Sequence, residues 1–345
     1  MAGTKAQVET LTVTGAFSTM GHAHGEACRR EIRALLADRT EILLRESRDL
    51  RPTRLEAICR TIWGYLAARY SNLTEELTAT AEAADIAPWQ LIVAGAYTDL
   101  LNVCQGTGSA YGECTLGLSV SPRFIAGTWD SHPSAEEALL LLHRRPDVGP
   151  ATLALTTAGW PAQQGVNSDG LAFAIANLTP RHVRVEGLPY IAANALLAAS
   201  RSPDEFVRLA ERENFCSGHS YIFIGLEGPA RVVQTTGAGV DVETVTSFAT
   251  IANHYRSASP LDDNRAYVNY EGSCKRETEL HSVLARLSGP AAFAHVVAGT
   301  TLVNRTDVRG AVVTCAYFYL DPVRREVWYQ RGPVEDEEMN VARLP

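Results

Sequence analysis

The sequence predicts a layered α+β fold, and three observations carry the prediction. Apolar residues recur at helical spacing from about Phe17 to Leu101. Beyond a glycine-rich loop the texture turns to short strands. Two later helix pairs are set among further strands instead of alternating singly with them. Of the 345 residues, 46% are apolar and 20% charged, so a large core is available and wholesale disorder is excluded. The length suggests two lobes or one large domain.

The elements follow in order. Val8 to Thr14 reads as a strand. Met20, Ala27, Ile32, Leu35 and Leu36, then Ile58, Ile62, Tyr65 and Leu66, keep a helical period. Asn72-Leu-Thr-Glu-Glu puts a capping residue ahead of acidic residues, and Pro88 precedes Trp89-Gln-Leu-Ile-Val; both mark helix starts. Residues 105–113, Gln-Gly-Thr-Gly-Ser-Ala-Tyr-Gly-Glu, break the pattern as a loop. Cys114 to Val120 and Phe124 to Asp130 are strands joined through Ser121-Pro-Arg. Thr152 to Thr157 and Leu171 to Ala176 read as a hairpin around Asn167-Ser-Asp-Gly, where Asp169-Gly170 is a turn signal. Helices are expected at about 189–200 and 203–212, the second opened by Ser202-Pro-Asp-Glu. Strands return at Tyr221–Leu226, Arg231–Gln234 and Phe248–Ala252. Helices are expected at about 273–288 and 290–298. The closing strands are Val312–Leu320 and Glu326–Tyr329.

Composition removes several classes of function. The net charge is −8, which argues against nucleic acid or an anionic membrane as the main partner. No run of 18 uncharged apolar residues suggests a transmembrane helix, and Met1 to Thr12 lacks the apolar core of a signal peptide. A cytoplasmic protein is expected. The seven cysteines are widely spaced and contain no C-x-x-C, so they form neither a disulfide framework nor a zinc ribbon. His22, His24, Glu26 and Cys28 resemble a ligand set, but on a helix they fall into two pairs that do not converge, and no metal is expected. Gly106-x-Gly-x-x-x-Gly112 misses the dinucleotide spacing and precedes a strand.

The candidate site is Gly112-Glu113-Cys114-Thr115, where a cysteine ends a glycine-rich loop and opens a strand. A thiol there can attack the carbonyl of Glu113 and shift the acyl group from nitrogen to sulfur. Water then cleaves the thioester and leaves Cys114 as a new N-terminus. A free α-amine, with an ordinary pKa of about 8, serves as base for its own thiol. Read locally, a buried strand cysteine is the stronger account of the position.

Ordered motifs along the chain sharpen the reading. Gly15-Ala-Phe-Ser-Thr-Met-Gly-His-Ala-His-Gly-Glu, Glu113-Cys114-Thr115, Trp129-Asp130, Gly165-Val-Asn-Ser-Asp-Gly, Ala252-Asn-His-Tyr and Val308-Arg-Gly, followed by Tyr317 to Arg325, occur in this sequence. Together they resemble the isopenicillin N acyltransferase family of autoproteolytic N-terminal nucleophile hydrolases. The resemblance implies a four-layer αββα sandwich. It also implies a precursor split into an α chain, residues 1–113, and a β chain, residues 114–345, held as a heterodimer. By position it makes Cys114 the nucleophile and Asp130 a carboxylate near the new amine. Asn253 becomes an oxyanion-hole donor, and Arg309 a fixed positive charge. Thr115, Trp129 and Trp160 are candidates to line the substrate pocket.

Each residue also has a plain local reading. Asp130 fits a carboxylate at a strand end, Asn253 a loop residue bonding its own backbone, Arg309 a solvated turn arginine, and Trp160 a packing residue. The chain departs from the penicillin-forming members at Glu113, where they have glycine, at Thr128, where they have asparagine, and at Leu116, which replaces a hydroxyl residue. The expected activity is hydrolysis or transfer of an acyl or aminoacyl group on a small-molecule amide through an acyl-cysteine, in specialised metabolism. No cofactor is required, and acyl-coenzyme A is a possible donor. Two rivals remain: an amidase with an internal cysteine paired to a histidine such as His132 or His143, and a processing-dead binding protein.

Overall fold

The computed structural model describes residues 8–105, 114–256, 269–298, 300, 302, 312–332 and 338–345. Glu113, Arg309 and most of the predicted loop lie outside that set. The chain opens with β1 (Glu9–Gly15) and six helices: α1 (Phe17–Ala27), α2 (Arg29–Glu46), α3 (Pro52–Ala67), α4 (Ser71–Ala83), α5 (Gln90–Gly95) and α6 (Tyr97–Gln105). Then come β2 (Thr115–Val120), β3 (Arg123–Ser131), α7 (Pro133–Glu137), β4 (Leu139–Pro146), β5 (Thr152–Thr157), β6 (Gln164–Asn167) and β7 (Ala172–Asn177). They are followed by α8 (Tyr190–Ala199), α9 (Pro203–Ala210), β8 (His219–Ile224), β9 (Ala230–Thr236), β10 (Gly239–Val245) and β11 (Phe248–Ile251). The last elements are α10 (Tyr270–Leu284), α11 (Pro290–Ala298), β12 (Val313–Asp321), β13 (Glu326–Arg331) and β14 (Asn340–Arg343).

These strands make two sheets. One has the order β1-β4-β5-β6-β7-β8-β9-β10, the other β11-β2-β3-β12-β13-β14. The β1–β4 pair is parallel, which ties the N-terminal segment into the first sheet by a full ladder. Leu139-Leu-Leu-Leu shows why the sheets stack. In a strand, alternate side chains face opposite sides; Leu140 and Leu142 join the core under the helices, while Leu139 and Leu141 join the core between the sheets. Such a strand is buried on both faces and reads as an unbroken apolar run.

Three apolar layers follow. Helices α1 to α6 with α8 and α9 cover the outer face of the larger sheet, through Met20, Ile62, Leu91, Phe173 and Phe223 among others. Leu116, Leu118, Ile125, Phe318 and Val327 meet Leu155, Val166, Ile222 and Val232 between the sheets. Leu280 and Leu284 of α10 and Phe293 of α11 cover the other sheet at Phe124 and Tyr317. The result is the predicted α–β–β–α stack. Among the described residues no helix is long and apolar enough to cross a membrane.

One expected pairing is corrected. β5 and β7 do not form a hairpin; β6 lies between them, paired to both. Asn167 still directs the turn, accepting from the backbone N–H of Asp169 and Leu171 through Oδ1. The strand was hidden because Gln163, Gln164 and Asn167 are polar yet buried.

Candidate active site

Cys114 stands at the mouth of β2. It belongs to the inter-sheet core with Leu116 and Leu118, so its side chain faces the larger sheet and that of Thr115 faces α10. The β2–β3 register pairs Thr115 with Thr128, which brings Trp129 abreast of Cys114. On the other side, β11 pairs antiparallel with Ile251 opposite Leu116. Carried two residues further, that register sets Asn253 abreast of Cys114. Residues far apart in sequence therefore meet through strand register alone.

The thiol is buried and donates to the Asp130 carbonyl at 3.6 Å. Burial pushes its pKa up to about 12; the Asp130 carboxylate adds to the rise, while the Asp130 hydrogen bond and Arg276 oppose it. Within the unbroken chain this sulfur is a thiol, not a thiolate, at neutral pH.

Asp130 is also buried, and hydroxyls hold its carboxylate. Thr314 donates to Oδ1 at 2.6 Å and Thr128 to Oδ2 at 3.2 Å. Thr128 Oγ1 in turn accepts the Thr115 N–H at 3.2 Å. The Thr314 contact depends on a local irregularity. The β12–β3 register slips between Thr314 and Ala316, a bulge of the kind that re-aims side chains beside sites. Asp130 shares the α10-facing side of β3 with Thr128, while the thiol faces the interior. The carboxylate thus lies toward the backbone end of residue 114.

Asn253 follows the end of β11 and is held through its backbone N–H and both ends of its side-chain amide. Its N–H donates to Ser273 Oγ at 2.8 Å and its Nδ2 to the Asn177 carbonyl at 2.9 Å. Its Oδ1 accepts from Arg276 at 2.9 Å. Arg276 Nε also donates to Thr115 Oγ1 at 3.2 Å. Ser273 Oγ lies 2.8 Å from His254 Nδ1, and His254 Nε2 lies 2.9 Å from a Glu277 oxygen. The α10 face that presents Ser273, Arg276, Leu280 and Leu284 is the buried one. Arg276 was missed because Cys274-Lys-Arg-Glu looks like a solvated charge run; its helical phase with Leu280 and Leu284 was the available signal.

Cys114, Trp129, Asp130 and Asn177 line a cavity of about 30 Å³, whose lining is continued by Tyr97 and Thr98 of α6, Tyr190 of α8 and His219 at the start of β8. His219 lies 3.6 Å from Asp99 and stacks on Tyr190 at 4.4 Å. Burial lowers the His219 pKa to about 3 and raises that of Asp99 to about 8. At neutral pH the imidazole is neutral and the carboxyl mostly protonated. None of Tyr97, Thr98, Tyr190 and His219 was singled out from sequence.

Other sequence candidates fall elsewhere. Trp160 does not line this cavity. It is fully buried in the core beneath the helices, with its indole N–H donating to the Leu91 carbonyl at 3.1 Å. Thr115 adjoins the nucleophile but turns to Arg276. His132 bonds Ser134, and His143 accepts from Arg145. His24 is buried and accepts the Gly159 N–H, while His22 lies on the surface 4.0 Å from Glu26.

The structure thus brings a cysteine at a strand mouth, a buried carboxylate and a fixed amide together between the layers of an αββα sandwich. Residues 119–333 match the family described as acyl-coenzyme A:6-aminopenicillanic acid acyl-transferase. The chain belongs to that family. The match begins at Ser119, so Cys114 stands just ahead of it. The 40 kDa form of acyl-coenzyme A:6-aminopenicillanic-acid-acyltransferase from Emericella nidulans is 23% identical over 217 residues, 62% of this chain and 60% of that protein. The matched part therefore spans about three fifths of the relative's length. Among solved structures, a mutant of conjugated bile acid hydrolase from Clostridium perfringens is 13% identical, with a TM-score of 0.43 over 67% of this chain and 92% of that one. Penicillin V acylase from Agrobacterium tumefaciens is 10% identical, with a TM-score of 0.40 over 66% and 84%.

Proposed function

We propose that the chain is an autoprocessed cysteine amidohydrolase or acyltransferase acting on a small-molecule amide. The observation that carries this reading is the company of Cys114: Asp130 toward its backbone end and Asn253 abreast of it, all three buried. Family membership supports acyl-group chemistry in general, and the assignment to Cys114 is argued from geometry.

Processing would run first. The Cys114 sulfur attacks the Glu113 carbonyl carbon, its proton passes to the departing amide nitrogen, and the C–N bond breaks. Water hydrolyses the resulting thioester, giving a Glu113 carboxylate and a free thiol and amine on Cys114. In turnover the amine takes the thiol proton as sulfur attacks the substrate carbonyl. Asn253 donates its remaining amide hydrogen to the oxyanion, a contact worth about 2.7–4 kcal/mol in comparable sites. Collapse releases the substrate amine with that proton and leaves acyl-Cys114. Water completes hydrolysis, or a second amine completes transfer; with acyl-coenzyme A as donor, the group that leaves with the proton in the first half would be the coenzyme A thiol instead of an amine.

Intact mass and a denaturing gel test the proposal. The expected result is two fragments of 113 and 232 residues, and a single chain for Cys114→Ala. Fragments meeting at another bond, or processing that survives the substitution, would overturn it. One observation favours a second reading: His219, backed by Asp99, lines the same cavity as Cys114. An internal-cysteine amidase built on that pair predicts an unbroken chain that is active and loses activity on His219→Ala.

A further inference from the structure

We propose that Arg276 is a positioning residue of the acyl-transfer site, setting the Asn253 amide and the charge around Cys114 from the outer face of the sheet. The inference rests on the reading of Cys114 and Asn253 given above. A side-chain amide is nearly symmetric in shape, and its hydrogen-bond partners decide which end is oxygen. A guanidinium can only donate. Arg276 therefore takes Oδ1 of Asn253, while the Asn177 carbonyl can only accept and takes Nδ2. Both partners demand the same orientation. In the proposed chemistry it leaves the second Nδ2 hydrogen for the oxyanion, and the first ties Asn253 to Asn177, which lines the cavity with Cys114. Without Arg276 the opposite flip loses half of its penalty, and it would present an oxygen lone pair to a developing oxyanion.

The same guanidinium reaches the residue that follows the nucleophile. Its Nε bond to Thr115 Oγ1 joins the first residue of β2 to the segment after β11. One rigid fork thus spans the two chain segments that flank the reacting centre, a geometry that lysine does not reproduce. The head group is also buried, which is costly for a cation, on a helix face otherwise held by Leu280 and Leu284. A purely structural anchor at that position has no need of charge. As a fixed cation near Cys114, Arg276 favours thiolate over thiol.

The test uses the processed protein, with p-nitrophenyl acetate as acylating probe and iodoacetamide as thiol probe. The burst of p-nitrophenolate reports acylation. Alkylation of the Cys114 peptide against pH, followed by mass spectrometry, reports the thiol titration. Arg276→Gln is expected to slow acylation about 10- to 100-fold, and Asn253→Ala about 10²- to 10³-fold. With each variant read at its own pH optimum, which removes the direct charge effect on the thiol, the double variant should be no more than about threefold slower than Asn253→Ala alone, because Arg276 sets the amide through Asn253. The thiol titration should move to higher pH in Arg276→Gln and return in Arg276→Lys, which nonetheless acylates at least about tenfold more slowly than the natural chain. Multiplying losses, natural acylation by Arg276→Gln, or an unmoved titration would overturn the role. If the glutamine variant does not fold, Arg276→Lys decides: natural acylation refutes, and a loss with natural titration supports. No burst from the natural chain refutes the acyl-transfer reading instead, and the thiol titration still decides Arg276.

Discussion

Asp130→Asn is the substitution that bears most directly on the proposed chemistry. The two side chains have the same shape, so Thr314 can keep its bond to Oδ1. Thr128 cannot keep its own, because the atom facing it becomes an amide donor. Thr128 Oγ1 would then accept from both the new side-chain amide and the Thr115 N–H, and its hydroxyl proton would lose its acceptor. The larger loss is electrostatic. If the Asp130 carboxylate holds the α-ammonium of processed Cys114, the substitution removes one charge-assisted hydrogen bond, worth about 1.5–3 kcal/mol. That corresponds to a loss of roughly 10- to 150-fold in acylation. The pH dependence gives the sharper signature. A neighbouring carboxylate raises an amine's pKa by about 1–3 units, and Asp130 also raises that of the Cys114 thiol. Removing its charge lowers both. The acid and alkaline limbs of the rate profile, which belong to the amine–thiol pair as a unit, should therefore move together to lower pH. The assay is the p-nitrophenyl acetate burst from pH 5 to 10 on the processed fraction identified by intact mass. A natural rate with unmoved limbs would refute the assignment, and so would an alkaline limb that rises.

Other outcomes follow from the frame around the site. Arg144 and Glu76 form a buried two-point ion pair, with Nε to Oε1 at 2.8 Å and a second, shorter contact; Glu76→Ala strands the guanidinium and should cost about 3–5 kcal/mol in urea unfolding, whereas an unchanged midpoint would show that water reaches Arg144. His24 is held neutral, with its pKa lowered to about 4 by burial and then by Arg144. The unfolded chain binds that proton near pH 6.5, so the stability His24 contributes is complete above pH 6.5 and is lost as pH falls toward 4. The loss is about 3 kcal/mol, and His24→Gln should flatten the acid arm of a urea-midpoint profile. Asp99, raised to about 8, acts with the opposite sign: its contribution is complete below about pH 4 and is lost as pH rises toward 8. Gly95→Ala would place a Cβ 1.8 Å from the Trp160 indole nitrogen; it should destabilise by at least about 1–3 kcal/mol and be partly relieved by Trp160→Phe, as read by thermal unfolding.

What the sequence reveals of this molecule tracks how local each signal is. The helical period of Ile58, Ile62, Tyr65 and Leu66 is a property of one segment, and all four are buried in α3. Ser202 caps α9 through the Glu205 N–H, as its Ser-Pro-Asp-Glu start indicates. The run Leu139–Leu142 escaped notice as a strand because alternation disappears when both faces are buried. At the site, Cys114, Trp129 and Asp130 were legible from motif order, and Asn253 from its segment. Trp160 stayed open between two readings, because a tryptophan in a loop looks the same whether it meets substrate or core, and the structure puts it in the core. Arg276 and His219 were invisible for a different reason. Their roles exist only through contacts across elements, Arg276 with residues 161 and 23 positions away and His219 with Thr98, 121 positions away.

The placement of these groups bears on how, under the proposed function, one cysteine would serve two successive reactions. In the unbroken chain the thiol is buried, its pKa is about 12, and its hydrogen bond goes to a backbone carbonyl that cannot take a proton away. Such a sulfur is inert toward outside amides. It would react only with a carbonyl brought directly against it, and the adjoining peptide bond is the nearest along the chain. Cleavage would change the electrostatics without moving a side chain, because it creates an ionisable amine at the backbone end of residue 114, on the side toward which the Asp130 carboxylate lies. Arg276 and Asn253 need no rearrangement either, since their bonds run to Thr115 Oγ1, Asn177 and Ser273 and not to the peptide that breaks. Under the proposed function the same frame would serve an internal step and then an external one, and the switch between them would be the appearance of a single base. Cys114→Ser, whose hydroxyl is a weaker nucleophile, should process more slowly than the natural chain; processing at the natural rate would refute a self-cleavage that depends on the sulfur.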